Sequence, residues 1–211
     1  MPTIIRAIFM MLVFILGGQT VLAQDEGGVL SYAKRWAEVQ YQLEGDAQTA
    51  GFEALIDQLD AALVAAPNSA ELLTWRGIVK ASLAGSKGGL GALSLVKQAR
   101  KDFETAIATD DNALQGAAYT SLGSLYYQVP GWPLSFGDTN KAEQHLRQGL
   151  TLAPADIDAN YFYADFLLQQ GRLDEAKVYI TKAEAAPPRP LRPLADAGRR
   201  KQLAELKKKV E

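Results

Sequence analysis

The sequence predicts an all-α fold of about four helical hairpins followed by a C-terminal capping helix. Two observations predict it: one residue spacing recurs four times along the chain, and a helical stretch precedes each recurrence. A recurrence of this kind indicates stacked hairpins, each of which buries its apolar face against the next. With 48% hydrophobic and 22% charged residues, the composition is that of a folded globular chain.

Residues 1–23 precede the repeat and have the pattern of a secretory signal peptide. Arg6 comes before the apolar run 7–16, and a polar segment then leads to Ala23. Signal peptidase accepts a small residue there, so we predict cleavage after Ala23 and a soluble periplasmic or secreted chain. The alternative is an uncleaved anchor, which the shortness of the apolar run disfavours. After cleavage we expect no integral membrane segment.

The repeated spacing marks the second helix of each hairpin. The members of each set follow one another at intervals of four, three and five positions. The first two intervals put three residues on one helical face, and the last member, usually Pro, ends the helix. The four sets are Leu55, Leu59, Ala62 and Pro67; Ala99, Phe103, Ala106 and Asp111; Ala142, Leu146, Gly149 and Pro154; and Ala176, Ile180, Ala183 and Pro188.

A first helix precedes each set, and a last helix follows them all. The first helices are predicted over residues 30–43, 71–83, 117–128 and 160–170. Residues 194–210 are predicted to form the capping helix, with Leu203 and Leu206 against the last hairpin. The predicted domains are a signal peptide over 1–23, a repeat domain over 24–188, and a Pro/Arg linker with the capping helix over 189–211.

Residues 157–188 resemble a tetratricopeptide repeat. The resemblance implies a right-handed superhelix of tetratricopeptide-like hairpins with a concave binding face. In the second and third hairpins, insertions near Lys87 and Trp132 interrupt the pattern. The residues that carry the resemblance are Tyr163, Ala164, Gln170, Gly171, Arg172, Leu173, Asp174, Glu175, Ala176, Ala183 and Pro188.

The two insertions resemble parts of the periplasmic T component of tripartite (TRAP) transporters. The similar segments are residues 87–97 and 127–133, followed by Gly137 and Asp138. This resemblance, which covers roughly residues 77–188, implies association with a substrate-binding subunit and a hydrophobic ligand groove. Those relatives are typically lipoproteins, and this chain departs from them by having no cysteine for lipid attachment.

Composition argues against several classes of function. A formal net charge of −2 disfavours a general nucleic-acid binder. The chain has no cysteine and one histidine, His145, so we expect no metal site and no His-centred triad. Its carboxylate pairs, at residues 110–111, 156 and 158, and 174–175, fall at helix ends, where they cap helices. We predict that the chain is not an enzyme and needs no cofactor.

Two further segments have a structural and a functional interpretation. The glycine-rich segment 85–91 lacks the ending of a phosphate-binding loop and is predicted to be a flexible turn with helix-capping glycines. Segment 189–211 has eight Lys or Arg and three Asp or Glu. Its cations, including Arg199 and Arg200, are predicted to lie on the solvated face of the last helix. The alternative is contact with an anionic partner or lipid surface.

The candidate binding residues lie on the first helices and in the second insertion. Their hydroxyl and aromatic side chains favour a neutral, partly apolar ligand. In the insertion, Trp132 either folds back over the gap between the third and fourth hairpins or forms a binding lip with Phe136. The candidates are Thr74, Ile78, Ser82, Thr120, Ser124, Tyr127, Trp132, Phe136, Tyr161 and Asp165.

These patterns predict an exported, non-catalytic interaction module of the bacterial envelope. Its expected partner is a protein of the cell envelope that acts in solute uptake or envelope assembly. The alternative is a carrier of a small hydrophobic ligand in a helical groove. An enzyme would need an active site made from carboxylates and tyrosines alone.

Overall fold

A computed structural model describes residues 20–210, which form nine α-helices and one short 3-10 helix. The α-helices pack in adjacent pairs, and this part of the chain contains no strand. The predicted all-α helical repeat is therefore confirmed. The helices are α1 Thr20–Gln42, α2 Gly45–Ala65, α3 Ala70–Lys87, α4 Gly89–Thr109, α5 Ala117–Gln128, α6 Thr139–Leu152, α7 Ile157–Gln169, α8 Leu173–Glu184 and α9 Pro193–Lys207, with the 3-10 helix at Ala113–Gly116.

Two of the predictions concern export and membranes. Of the predicted signal peptide, residues 1–19 lie outside the described residues. Its cleavage after Ala23 stays a prediction. Among residues 20–210, no helix has both the length and the apolar character that a bilayer crossing requires.

Within two of the hairpins, a glycine of the first helix faces a large residue of the second. A Cβ at Gly77 of α3 would stand 2.5 Å from the Phe103 ring of α4. A Cβ at Gly123 of α5 would stand 2.7 Å from the Leu146 side chain of α6. Phe103 and Leu146 are second members of the repeated spacing, and both are buried. The spacing therefore marks the contact that holds these hairpins together.

The helix ends follow the turn and capping residues of the sequence. α2 ends at Ala65, shortly before Pro67, and α6 ends at Leu152, shortly before Pro154. Proline cannot continue a helix, so these ends are where the spacing predicts them. Asp138, Asp156 and Ser69 accept hydrogen bonds from first-turn N–H groups of α6, α7 and α3. Asp156 thus has the capping role predicted for it.

The first insertion lengthens two helices instead of forming a loop. α3 continues to Lys87 and α4 begins at Gly89, so Gly88 alone separates them. Gly88 has φ +61°, in the left-handed region that glycine adopts at little cost. The prediction of helix-capping glycines in residues 85–91 is confirmed, since Gly88 caps both helices. The predicted turn over the whole segment is wrong, because Gly88 alone joins the two long helices.

The first helices of the hairpins and α9 form a closed inner layer. α1 contacts α3, α3 contacts α5, α5 contacts α7, and α7 contacts α9. α9 also contacts α1, which closes the circuit. We call these five helices the inner ring.

The contact of α9 with α1 adds to the predicted role of the last helix. Leu203 and Leu206 are buried and α9 contacts α8, as a cap on the last hairpin requires. In addition, Gly198 of α9 lies so close to Tyr41 of α1 that a Cβ would stand 2.5 Å from the ring. The Tyr41 hydroxyl donates to Gln202 at 3.4 Å. α9 therefore joins the two ends of the repeat.

Gly123→Ala tests the packing of α5 on α6. The added methyl group would meet the Leu146 side chain at 2.7 Å and the Leu146 backbone nitrogen at 2.9 Å, so relief requires a backbone shift. We expect the free energy of unfolding to fall by about 1–3 kcal/mol in urea denaturation followed by circular dichroism.

Gly85→Ala is the matched control for this substitution. Gly85 also lies in a helix, but a Cβ there would have no neighbour within 4 Å. Because alanine favours helix more than glycine does, we expect equal stability or a gain of up to about 1 kcal/mol. Equal losses in the two variants would contradict the packing argument.

Candidate functional site

The inner ring surrounds a cavity of about 1770 Å³, which we call the central cavity. Residues from all five helices of the inner ring line it, together with parts of α2 and α4. Small-molecule sites reach about 1,000 Å³, so the central cavity has room for a peptide segment or a lipid-sized molecule.

Aromatic and apolar side chains form one part of the cavity wall. The Trp36 and Trp75 rings lie 6.0 Å apart, and Ile78 and Leu93 also line the cavity. The Trp36 indole donates to the Ser82 hydroxyl at 2.9 Å, and that hydroxyl donates to the Ile78 carbonyl. Because these polar atoms bond within the protein, this wall offers an occupant mainly apolar surface.

The part of the wall formed by α7 and α9 contains a partly buried ion-pair cluster. Arg199 donates to Asp158 at 2.6 Å, and Arg189 donates to the other Asp158 oxygen at 2.5 Å. The Arg199 guanidinium also lies 4.3 Å from the centroid of the Tyr161 ring and 4.6 Å from that of Phe162. One carboxylate of α7 thus holds both α9 and the linker that precedes it.

The pKa values distinguish Asp158 from Asp156, the N-cap carboxylate two residues before it. Burial would raise the pKa of Asp158, but the Arg199 and Arg189 guanidinium groups lower it to about 2. Burial raises the pKa of Asp156, and the neighbouring Asp158 charge raises it further. Asp158 is therefore the carboxylate that the surrounding cations hold in its charged form.

A second arginine, Arg192, lines the central cavity immediately before α9. Burial lowers the pKa of its guanidinium, and the Arg189 charge lowers it further. Within the described part of the chain, its side chain has neither an ion pair nor a hydrogen bond. Arg192 is therefore available to an anionic group of an occupant.

Most of the predicted binding residues meet at the central cavity. Thr74 does not, because it is fully buried and its hydroxyl donates to the Ala70 carbonyl at 2.7 Å. Tyr127 is held by Asp165, to which its hydroxyl donates at 2.7 Å. The residues that line the cavity are Ile78, Ser82, Thr120, Ser124, Tyr161 and Asp165.

The second insertion is a loop whose first residues, Val129 and Pro130, line the central cavity. Its two candidate residues lie outside the cavity and differ in exposure. Trp132 is 90% exposed. Phe136 packs edge-on against Tyr126, with ring centroids 5.5 Å apart, and the Arg100 guanidinium lies 5.0 Å from the Phe136 centroid. The interpretation in which Trp132 folds back over the hairpins is therefore wrong, since Phe136 packs against the protein and Trp132 lies in solvent.

Sequence reasoning misplaced two arginines of α9, of which Arg199 lines the central cavity and Arg200 does not. It placed Arg199 and Arg200 on a solvated face, whereas Arg199 is 7% exposed and Arg200 donates to Asp196 at 2.9 Å. The available signal was the excess of cations in the last segment together with two acidic residues, Asp156 and Asp158, at the start of α7. Charge sign alone does not say which of these residues meet.

His145 lies between two tyrosine rings. The His145 ring stacks on Tyr126 at 5.5 Å and on Tyr119 at 6.0 Å, and burial lowers its pKa. Among the side chains that the structure describes, no group of three His, Cys, Asp or Glu is placed to hold a metal ion. His145 has the surroundings of a packed aromatic side chain.

The hairpin geometry around α7 and α8 agrees with a known family. Residues 134–192 match the tetratricopeptide repeat family. The matched tetratricopeptide segment contains α6, α7 and α8, and it includes both Asp158 and Arg189 of the ion-pair cluster. No curated protein matches the chain. Because tetratricopeptide repeats mediate contacts between proteins, the match indicates an interaction module.

Asp158→Asn tests the ion-pair cluster. Removing one partner leaves buried guanidinium groups uncompensated, so we expect a loss of about 3 kcal/mol in unfolding free energy near pH 7. In the native protein the pKa of Asp158 lies at about 2, below its ordinary value of 3.8. Its stabilising effect is therefore present above about pH 4 and is lost as the pH falls towards about 2.

We expect the melting temperature of the variant to fall less steeply than that of the native protein between these pH values. Asp174→Asn is the control, because the Asp174 side chain is fully exposed (100%). The pKa of Glu143 is also lowered to about 2 in both proteins, so the difference between the two curves isolates Asp158. Parallel curves would contradict the assigned role of Asp158.

Proposed function

We propose that the chain is a non-catalytic interaction module of the bacterial envelope, accessory to solute uptake or envelope assembly. The observation that carries the proposal is the central cavity, which the five helices of the inner ring line and to which six of the predicted binding residues contribute. The tetratricopeptide match over residues 134–192 supports protein binding as the activity.

The envelope location rests on the sequence. The pattern of residues 1–23 predicts a signal peptide cleaved after Ala23, and hence a periplasmic or secreted chain. The resemblance of residues 77–188 to the T component of TRAP transporters supports a place in solute uptake. Its partner there would be a protein of the envelope, such as a substrate-binding subunit.

The polar groups around the cavity support binding over catalysis. Asp158 is ion-paired with two arginines, and Asp165 accepts hydrogen bonds from Tyr127 and Gln169. A general base needs a carboxylate or imidazole free to take a proton from a substrate. These carboxylates instead hold the helices together, and Asp156, which also lines the cavity, is engaged as the N-cap of α7.

Ile78→Glu tests binding in the central cavity. Ile78 is half-buried in the apolar wall, and a carboxylate there would have to be desolvated by any apolar occupant. With the tagged full chain expressed in a bacterium that exports it, we expect recovery of the native partner after cross-linking to fall about tenfold.

Val64→Glu is the matched control for this experiment. Val64 is 84% exposed on α2 and does not line the cavity. Partner recovery with this variant should equal that of the native chain. The proposal is overturned if no envelope protein co-purifies, or if both variants lose the partner equally.

The second candidate function is that of a carrier of a small hydrophobic ligand, and the composition of the cavity wall favours it. The cavity combines the Trp36 and Trp75 rings with Arg192, which has no ion pair in the described part of the chain. Such a wall suits a molecule with an apolar body and one anionic group.

The amphipathic anion 1-anilinonaphthalene-8-sulfonate is a direct probe of this second function. The sequence has three tryptophans, so Trp132→Phe leaves Trp36 and Trp75 as cavity reporters. We expect saturable quenching of their fluorescence, with affinity about tenfold weaker in Arg192→Gln. Arg35→Gln, at an exposed arginine outside the cavity, should bind normally. Quenching that does not saturate, or that both substitutions weaken equally, would exclude the carrier.

A further inference from the structure

The loop between α5 and α6 presents an apolar tip to solvent. Trp132 is 90% exposed and Leu134 is 65% exposed, with the exposed Pro133 between them. We call these three residues the apolar tip. Exposing a tryptophan to water without a partner is unfavourable, because its large ring stays hydrated.

The apolar tip is held in place by its own loop. The Gly137 N–H donates to the Pro130 carbonyl at 2.9 Å, and the Leu134 N–H donates to the Gly131 carbonyl at 3.1 Å. Below the tip, Phe136 packs against the protein. The exposure of Trp132 is therefore a feature of an ordered, hydrogen-bonded loop.

Lysines flank the apolar tip. Lys97 and Lys101 of α4 line a crevice of about 350 Å³ together with Pro133 and Leu134 of the tip. Both lysines are exposed, and neither has an ion pair within the described part of the chain. Lys141 of α6 is also exposed, with its ammonium 5.6 Å from the centroid of the Tyr126 ring.

The acidic groups nearby are already engaged. Glu104 pairs with Arg100 at 2.7 Å, and Asp138 accepts hydrogen bonds from the Asn140 and Lys141 backbone N–H groups. Lys97 and Lys101 beside the tip, and Lys141 below the loop near Tyr126, are thus left to act on an anionic surface.

We propose that this face docks on an anionic membrane surface. Tryptophan prefers the headgroup region, where its ring meets the apolar boundary and its N–H stays hydrated. Lysines beside it gain electrostatic attraction to anionic headgroups, and their alkyl chains lie along the same boundary. The apolar tip enters the interface, while Lys97, Lys101 and Lys141 contact lipid phosphates.

The size of the tip favours a membrane over a protein partner. A stable protein interface buries about 800 Å² on each side, which three side chains on one loop do not supply. Peripheral membrane contact needs only a few interfacial side chains together with electrostatic attraction. This docking face is separate from the central cavity, because neither Trp132 nor the three lysines line the cavity.

Co-sedimentation with lipid vesicles tests the proposal. The full chain is expressed in bacteria and purified as the cells process it. It is mixed with anionic vesicles of phosphatidylcholine and phosphatidylglycerol, or with neutral vesicles of phosphatidylcholine alone. We expect binding to the anionic vesicles that weakens with salt, with partitioning about tenfold lower in Trp132→Ala. The double variant Lys97→Gln with Lys101→Gln should lose a similar factor on anionic vesicles only.

Val64→Ala and Ile78→Glu are the controls. Val64 is an exposed apolar residue far from the loop in sequence, on α2, and its substitution should leave vesicle binding unchanged. Ile78→Glu alters the central cavity and should also bind vesicles normally, so this test is independent of the proposed function. The inference is overturned if anionic vesicles do not bind the native chain, if Trp132→Ala binds them equally well, or if neutral vesicles bind the native chain as strongly as anionic ones.

Discussion

The contact between Asp158 and the arginines at the C-terminal end is the interaction on which the arrangement of the central cavity depends. Arg199 and Arg189 each bond one oxygen of this carboxylate, which fixes α9 on α7. From that position α9 reaches α1 through Gly198 and Tyr41. Without it, the four hairpins would form an open stack, and the cavity would lack the wall that α9 supplies.

The contacts within the hairpins differ in kind from the contacts of α9 that close the inner ring. The contacts of Gly77 with Phe103 and of Gly123 with Leu146 join first to second helices and are apolar. The contacts that close the inner ring are polar and aromatic. Apolar packing therefore holds each hairpin together, whereas ion pairs and aromatic side-chain contacts determine the shape of the central cavity. Because the first helices pack on the second helices through their outer faces, their inner faces are available for binding.

Sequence patterns predicted the helices well and the site in part. Ile78, Ser82 and Tyr161 could be placed on the inner face because helical periodicity and the repeat register both apply to them. The same reasoning could not exclude Thr74. Its side chain points into the core, where its hydroxyl donates to the Ala70 carbonyl of the same helix. Arg192 and Arg199 lie after the last repeat, where no register applies, so their partners could not be read from spacing.

The sequence by itself determined the all-α class, the number of hairpins and the capping helix, because these follow from local periodicity, small residues and prolines at fixed intervals. Only the tertiary structure decided that α9 meets α1, that residues 85–91 form a joint within long helices, and that Phe136 is packed while Trp132 is exposed. Each of these depends on which distant side chains come together. A charge such as that of Arg199 is compatible with water or with a buried carboxylate until Asp158 is placed beside it.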